Sequence, residues 1–160
     1  MVIENYSMIK FIIILFFSSI CFAEDDFFIR YSVNAGGKLS NLRGLSIGIH
    51  QDIGLISFKH EAGVLLDKLG SNMVYGQTGI GVEPSSKHFY VHYFQSIGAV
   101  TSEDQYLSGY FQFFSDVGIG FIGNNKVSVG VGLKHVSNGG IVKPNIGKDT
   151  INLLIRIPID

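Results

Sequence analysis

The sequence carries little that could cross-link, chelate or grip a polyanion. Its single cysteine, Cys21, lies near the N-terminus, so no intramolecular disulfide can form. Twelve basic residues stand against 13 acidic ones for a formal net charge of −1, and no basic stripe is present, which excludes nucleic acid as a partner. Only one long unbroken apolar run occurs, Phe11 to Phe17, too short to span a bilayer comfortably as a helix. Internal repeats, low-complexity tracts and linkers are also missing, and 160 residues suit one domain.

That apolar run has its own explanation. Met8-Ile9-Lys10 provides a basic start, Phe11 to Phe17 the apolar segment, and Cys21-Phe22-Ala23 small residues where a signal peptidase reads. The acidic Glu24-Asp25-Asp26 follows at once. This is the layout of a secretory signal peptide, expected over residues 1–23, with the mature domain over 24–160. Ile20 directly before Cys21 argues against a lipoprotein signal. Cleavage after Ala23 removes the only cysteine, so thiol chemistry is excluded as a mechanism.

What remains is apolar without spanning helices. Mean hydropathy is +0.32 and hydrophobic content 46%, with 20 glycines, 13 phenylalanines and 7 tyrosines, a combination that points to a membrane β-barrel. Period-two alternation recurs. Ile29, Tyr31 and Val33 alternate with Arg30, Ser32 and Asn34, and Leu45, Ile47 and Ile49 with Ser46, Gly48 and His50. Ile56, Phe58, Ala62 and Val64 share a parity that His60 interrupts. Val127, Val129, Val131 and Leu133 alternate with Ser128, Gly130, Gly132 and Lys134, and Ile151, Leu153 and Ile155 with Asn152, Leu154 and Arg156. Phe89 to Gly98 and Tyr106 to Ile122 are aromatic-rich and leave the phase open. Short connections (51–54, 83–87, 123–126) alternate with longer ones (36–43, 66–72, 99–105, 138–148), the pattern of periplasmic turns and outer loops. The count predicts about eight antiparallel strands. The polar parity, including Arg30, Lys134, Asn152 and Arg156, should fill a narrow lumen that is not a channel.

Chemistry gathers near the C-terminus. His135 and Ser137 lie two apart on one strand, so they share a face with Cα atoms about 6–7 Å apart. Their parity is that of Val131 and Leu133, so they project toward lipid. Asp149, in phase with Ile151 and Leu153, does the same at the start of the next strand. If the chain starts on the periplasmic side, this trio meets at outer-leaflet depth. A serine hydroxyl needs a base, the base needs an orienting carboxylate, and the oxyanion needs donors. The amides of Gly139 and Gly140, or the side chains of Asn138 or Asn145, could supply those donors. Chance alignment of polar residues entering the headgroup zone would look similar.

The same residues carry a resemblance. His135-Val136-Ser137-Asn138-Gly139-Gly140, followed by Pro144-Asn145-x-Gly147, resembles the signature of the lipid A 3-O-deacylases, the PagL-type outer-membrane enzymes. The resemblance implies an eight-stranded barrel that removes the 3-linked acyl chain of lipid A without metal or cofactor. It implies Ser137 as nucleophile and His135 as base, with Asp149 standing where the family has a glutamate. The Gly139 and Gly140 amides with the Asn145 side chain would form the oxyanion hole, and Asn138 would support it. The chain departs from the pattern in the shorter Asp149 and in ending without a terminal aromatic residue. The expected partners are lipid A or lipopolysaccharide in the outer leaflet and membrane lipid, with a homodimer left open.

The other polar residues point to less. His50, His60, His88 and His92 have no ligand spacing that recurs on one face with acids, and although His88 and His92 share a strand side, neither carboxylates nor cysteines cluster nearby. Glu103-Asp104 reads as a solvated loop tip. Phe89, Tyr90, Tyr93, Phe94, Tyr110, Phe111, Phe113 and Phe114 read as interface girdles and lipid-facing wall. Two other functions stay open at this point: a non-enzymatic outer-membrane barrel with a structural or adhesion role, and a soluble barrel with an apolar ligand in its lumen.

Overall fold

In the computed structural model, residues 25–35, 42–66, 72–101, 107–143 and 145–159 are described. The expected signal peptide, the Glu103-Asp104 loop tip, Pro144 and the terminal Asp160 lie outside them. Eight strands follow in order: β1 (Asp25–Asn34), β2 (Arg43–Ile53), β3 (Ile56–Leu66), β4 (Met73–Val82), β5 (Phe89–Val100), β6 (Phe111–Ile122), β7 (Ser128–Ser137) and β8 (Lys148–Ile159). Each pairs antiparallel with its sequence neighbour, and β1 pairs with β8, so the sheet closes into a barrel with no free edge. Among the described residues no helix is long and apolar enough to cross a membrane.

Alternation decides the two faces. Val129, Val131 and Leu133 on β7, and Ile151, Leu153, Ile155 and Ile157 on β8, stay exposed on the outer wall. Ile29, Leu45, Ile47, Val91, Ile97, Val117 and Ile119 continue that belt around the barrel. An exposed apolar patch of more than a few hundred Å² is not tolerated by a soluble monomer. A belt that encircles the whole barrel is a surface made for lipid.

The opposite parity fills the lumen with charge. Arg30, Lys134, Asn152 and Arg156 are all buried there, as the alternation required. Arg30 and Lys134 pair with two acids that the alternation did not single out, Glu61 and Asp116, whereas Arg156 pairs with Glu83 and Asn152 Oδ1 accepts from Thr150 Oγ1. Glu61 accepts from Lys134 Nζ at 2.8 Å, Tyr75 OH at 2.6 Å, Gln77 Nε2 at 2.6 Å and Ser46 Oγ at 2.7 Å. Asp116 pairs with Arg30 at 2.6 Å and with Lys59. A cavity within this network holds about 10 Å³, too little for a ligand. The described lumen is lined by charged and polar groups, the opposite of what an apolar ligand requires.

Three of the aromatic residues assigned to the wall are inside instead. Tyr90, Phe94 and Phe114 are almost wholly buried. Each lies against a lumenal cation: Arg156 sits 3.9 Å from the Tyr90 ring centre, Lys59 4.8 Å from Phe94 and Lys134 5.1 Å from Phe114. Cation–π contact and the need to fill a narrow barrel outweigh the preference of these rings for lipid. Phe89, Tyr93, Tyr110, Phe111 and Phe113 do stay exposed on the outside. His60 keeps the outward parity rather than breaking it, and its Nδ1 lies 3.0 Å from Thr78 Oγ1 on the paired strand.

The two ends of the barrel differ. At one end β2 turns into β3 through Gly54-Leu55 alone, and the β4–β5 and β6–β7 connections are short. At the other end the connections are longer. There Leu42, Leu65, Met73, Tyr75, Val100, Leu107, Phe114 and Val136 pack into an apolar plug. That plug lies directly behind the end of β7.

Candidate active site

Strand β7 delivers two polar side chains to the lipid-facing wall. Val136 points inward into the apolar plug, which forces His135 and Ser137 outward on either side of it. In the register of β7 with β8, His135 stands directly opposite Asp149. Its Nδ1 lies 2.7 Å from Asp149 Oδ1, a short charge-assisted hydrogen bond in which the ring N–H donates. The shorter aspartate side chain therefore reaches the imidazole, because the two residues are direct cross-strand neighbours. Asp149 is held in turn by its backbone carbonyl, which accepts from Ala35 N at 3.0 Å. With Nδ1 bonded to the carboxylate, Nε2 is the ring atom left to accept a proton. Both side chains are substantially exposed on the outer face, 45% for His135 and 66% for Asp149.

Ser137 closes the strand two residues on and is half-buried. Its cross-strand neighbour on β6 is Phe113, while that of His135 is Ser115. Among the described residues the Ser137 hydroxyl makes no hydrogen bond, so it shares the outward face of β7 with His135 without being bonded to the imidazole.

The loop after β7 is shaped by its own hydrogen bonds. Asn138, fully buried, donates from Nδ2 to Ser108 O at 2.6 Å and to Val142 O at 2.7 Å. Its Oδ1 accepts from Gly140 N at 2.9 Å, and its own backbone N donates to Asn145 Oδ1 at 3.0 Å. A bridge between Leu107 and Asn145 ties the β5–β6 connection to the same loop. Asn138 is thus the buttress of the loop rather than a group facing substrate. The Gly140 amide is already engaged, whereas the Gly139 amide has no partner among the described residues. Of the two glycine amides considered for an oxyanion hole, Gly139 is the one free to donate. Asn145, anchored through Oδ1, keeps its amide nitrogen available.

One residue was missed as part of the site. Gly147 has φ of +79°, and a Cβ there would stand 2.6 Å from His135 Cε1. The imidazole ring packs directly over this glycine. The signal was present in the sequence, as the glycine of Pro144-Asn145-x-Gly147, but no physical role could be given to it without the ring's position.

A groove of about 610 Å³ runs along the outer wall from this pair, lined by Tyr93, Ser115, Val117, Leu133, His135 and Asp149. Leu133 and Val117 lie further from the loop end than His135, so the groove leads from the polar pair toward the middle of the apolar belt. His88 and His92 do not form a joint site. The His88 ring stacks on Phe121 with centres 6.1 Å apart, and His92 Nε2 lies 3.4 Å from Asp116 Oδ1 in the lumen.

Comparison with known proteins bears on this geometry. Residues 51–158 match the family described as lipid A 3-O-deacylase (PagL). The crystal structure of the outer-membrane enzyme PagL superposes with a TM-score of 0.64 at 19% identity, covering 84% of this chain and 99% of that one. The outer-membrane protein Ail of Yersinia pestis gives 0.51 at 12% identity, covering 85% and 100%. Neisserial surface protein A gives 0.52 at 11% identity, covering 84% and 94%. Among curated proteins no sequence matches. At these identities the structures speak for the fold, an eight-stranded membrane barrel. The match over residues 51–158 takes in both strands of the candidate site and the loop between them.

Proposed function

Since the chain belongs to the lipid A 3-O-deacylase (PagL) family, we propose that it is an outer-membrane esterase that removes the 3-O-linked acyl chain of lipid A, with Ser137 as nucleophile, His135 as base and Asp149 as the orienting acid. One observation carries this reading: a 2.7 Å imidazole–carboxylate pair stands on the lipid-facing wall, on the same face of β7 as a serine two residues on whose hydroxyl makes no hydrogen bond. A hydrogen-bonded His–Asp pair on an apolar wall suits a substrate that arrives laterally through the bilayer.

The chemistry follows from the arrangement. Ser137 Oγ attacks the ester carbonyl carbon while its proton passes to His135 Nε2. Asp149 stabilises the imidazolium that forms and keeps the hydrogen on Nδ1. The negative charge on the former carbonyl oxygen is met by the Gly139 amide and the Asn145 side-chain amide. Collapse of the tetrahedral intermediate breaks the bond to the sugar oxygen, which leaves with the proton from His135. Water, deprotonated by His135, then hydrolyses the acyl-serine and releases a free hydroxy fatty acid. The sugar would sit at the loop end and the departing acyl chain in the groove along Leu133 and Val117, parallel to its neighbours in the leaflet. In this orientation the long-loop end faces outward and the N-terminal residues before β1 serve as the export signal.

The test is direct. Barrel folded in detergent, given lipid A with its 3-O-linked chain intact, should release one hydroxy fatty acid per molecule. Ser137→Ala should release none. Release by Ser137→Ala at the wild-type rate removes Ser137 from the chemistry and the proposal with it.

A further inference from the structure

At the short-turn end of the barrel, far from the catalytic loop, a second polar cluster is left unexplained by deacylation. His50, near the end of β2, has a side chain only 4% exposed. Its Nε2 is buried and has no hydrogen-bond partner among the described residues. Two carboxylates face that atom: Asp52 Oδ1 at 3.4 Å and Glu83 Oε2 at 3.7 Å. The three candidate donor atoms all lie within 4.8 Å of one another.

We propose that His50, Asp52 and Glu83 form a binding site for a divalent cation of the zinc class at the periplasmic mouth of the barrel. The spacing suits such an ion. Tetrahedral zinc with bonds of about 2.0–2.2 Å separates adjacent ligand atoms by about 3.3–3.5 Å. The 3.4 Å and 3.7 Å separations from Nε2 are close to that spacing, and the two carboxylates, within 4.8 Å of each other, draw together on binding. One imidazole nitrogen and two carboxylate oxygens leave a fourth position for water, and the donor set favours zinc over a purely oxygen-seeking ion.

Two hydrogen bonds set the carboxylates for it. Ser57 Oγ donates to Asp52 Oδ1 and fixes that carboxylate. Arg156 Nη1 donates to Glu83 Oε1 at 2.7 Å, which turns Oε2 toward the imidazole. Arg156 Nη1 also lies 3.2 Å from His50 Nδ1 and donates to it, so here the ring hydrogen sits on Nε2. A cation held at Nε2 puts the hydrogen on Nδ1, so binding must break the Arg156 contact and leave Nδ1–H to Asp26 Oδ2, 3.7 Å away. That rearranged pocket has the carboxylate–histidine–metal order that steadies such ligands. Asp26, Asp52 and Glu83 stand against Arg156 and Lys126 around a mouth of about 360 Å³, a net negative site open to the ion. The cation would tie β2 to the β4–β5 connection and close the mouth.

The experiment titrates Zn²⁺ into chelator-stripped barrel folded in detergent, by calorimetry, with thermal unfolding followed alongside. It is done in the His135→Ala background, which removes the exposed imidazole on the outer wall. One saturable equivalent is expected, together with a higher unfolding temperature. Binding should weaken at least tenfold in Asp52→Asn, where a half-exposed residue changes and folding is retained. It should disappear in His50→Gln, with no thermal shift left in Glu83→Gln. Absence of saturable binding to the parent barrel overturns the proposal, and so does binding unchanged in Asp52→Asn. Neither outcome touches the deacylase reading, which rests on residues at the other end of the barrel.

Discussion

Replacing Gly147 with alanine tests whether the imidazole is held by its packing as well as by its hydrogen bond. A methyl group there would meet His135 Cε1 at 2.6 Å. Ordinary carbon contacts begin near 3.5 Å, so the ring must move by about 1 Å. The ring is also one end of a 2.7 Å hydrogen bond to Asp149, so its displacement disturbs that bond as well. A misplacement of about 1 Å costs on the order of 100-fold in rate. Alanine at φ of +79° adds about 1–2 kcal/mol of backbone strain. Gly54→Ala separates the two effects. Gly54 has φ of +68° with open space where a Cβ would go, and it lies in the β2–β3 turn at the other end of the barrel. Both variants should lose similar stability in denaturant melts of the folded barrel. Only Gly147→Ala should lose about 100-fold in kcat/KM for acyl release from lipid A. Equal activity in the two variants would refute the claim that this glycine positions the base.

Asp149→Ala should lower activity less than Ser137→Ala, because the acid orients and does not attack, and equal total loss would contradict that ranking. A fluorophosphonate probe should label Ser137 in the wild type and label it far more slowly in His135→Ala, read by intact-protein mass spectrometry. Asn138→Ala removes donors to Ser108 and Val142 and the acceptor for Gly140, so it should depress kcat sharply while the barrel still folds in detergent. Glu61→Ala leaves Lys134 without its buried counter-charge and Arg30 with Asp116 alone, and should cost about 3–5 kcal/mol in unfolding, with no effect on the outer wall.

The sequence made some strands transparent and others opaque, for a physical reason. On β7 and β8 the wall parity is aliphatic and the lumen parity small or charged, so phase, and with it the outward projection of His135, Ser137 and Asp149, could be read directly. On β5 and β6 aromatic rings occupy both parities. Phe89 and Tyr93 meet lipid while Tyr90 and Phe94 stack on buried cations, and only the partners reveal which is which. Glu61 and Asp116 escaped notice because acids inside a barrel are explained by cations on other strands. The motif predicted that the loop after β7 matters, but not the division of labour within it. That division depends on Asn138 Oδ1 capturing the Gly140 amide, a contact set by loop geometry rather than by residue type. His50 and Glu83 come together only through barrel closure, beyond the reach of spacing along the chain.

If this wall-mounted trio cleaves a lipid A ester in place, the lipid A of Gram-negative cells expressing the protein must change, and mass spectrometry reads that change. Wild type should produce lipid A lighter by one hydroxyacyl chain, lost from the 3-position, while cells with Ser137→Ala at the same level of folded barrel keep full acylation. Identical lipid A spectra from the two, with the wild-type barrel folded in the outer membrane, would contradict such cleavage.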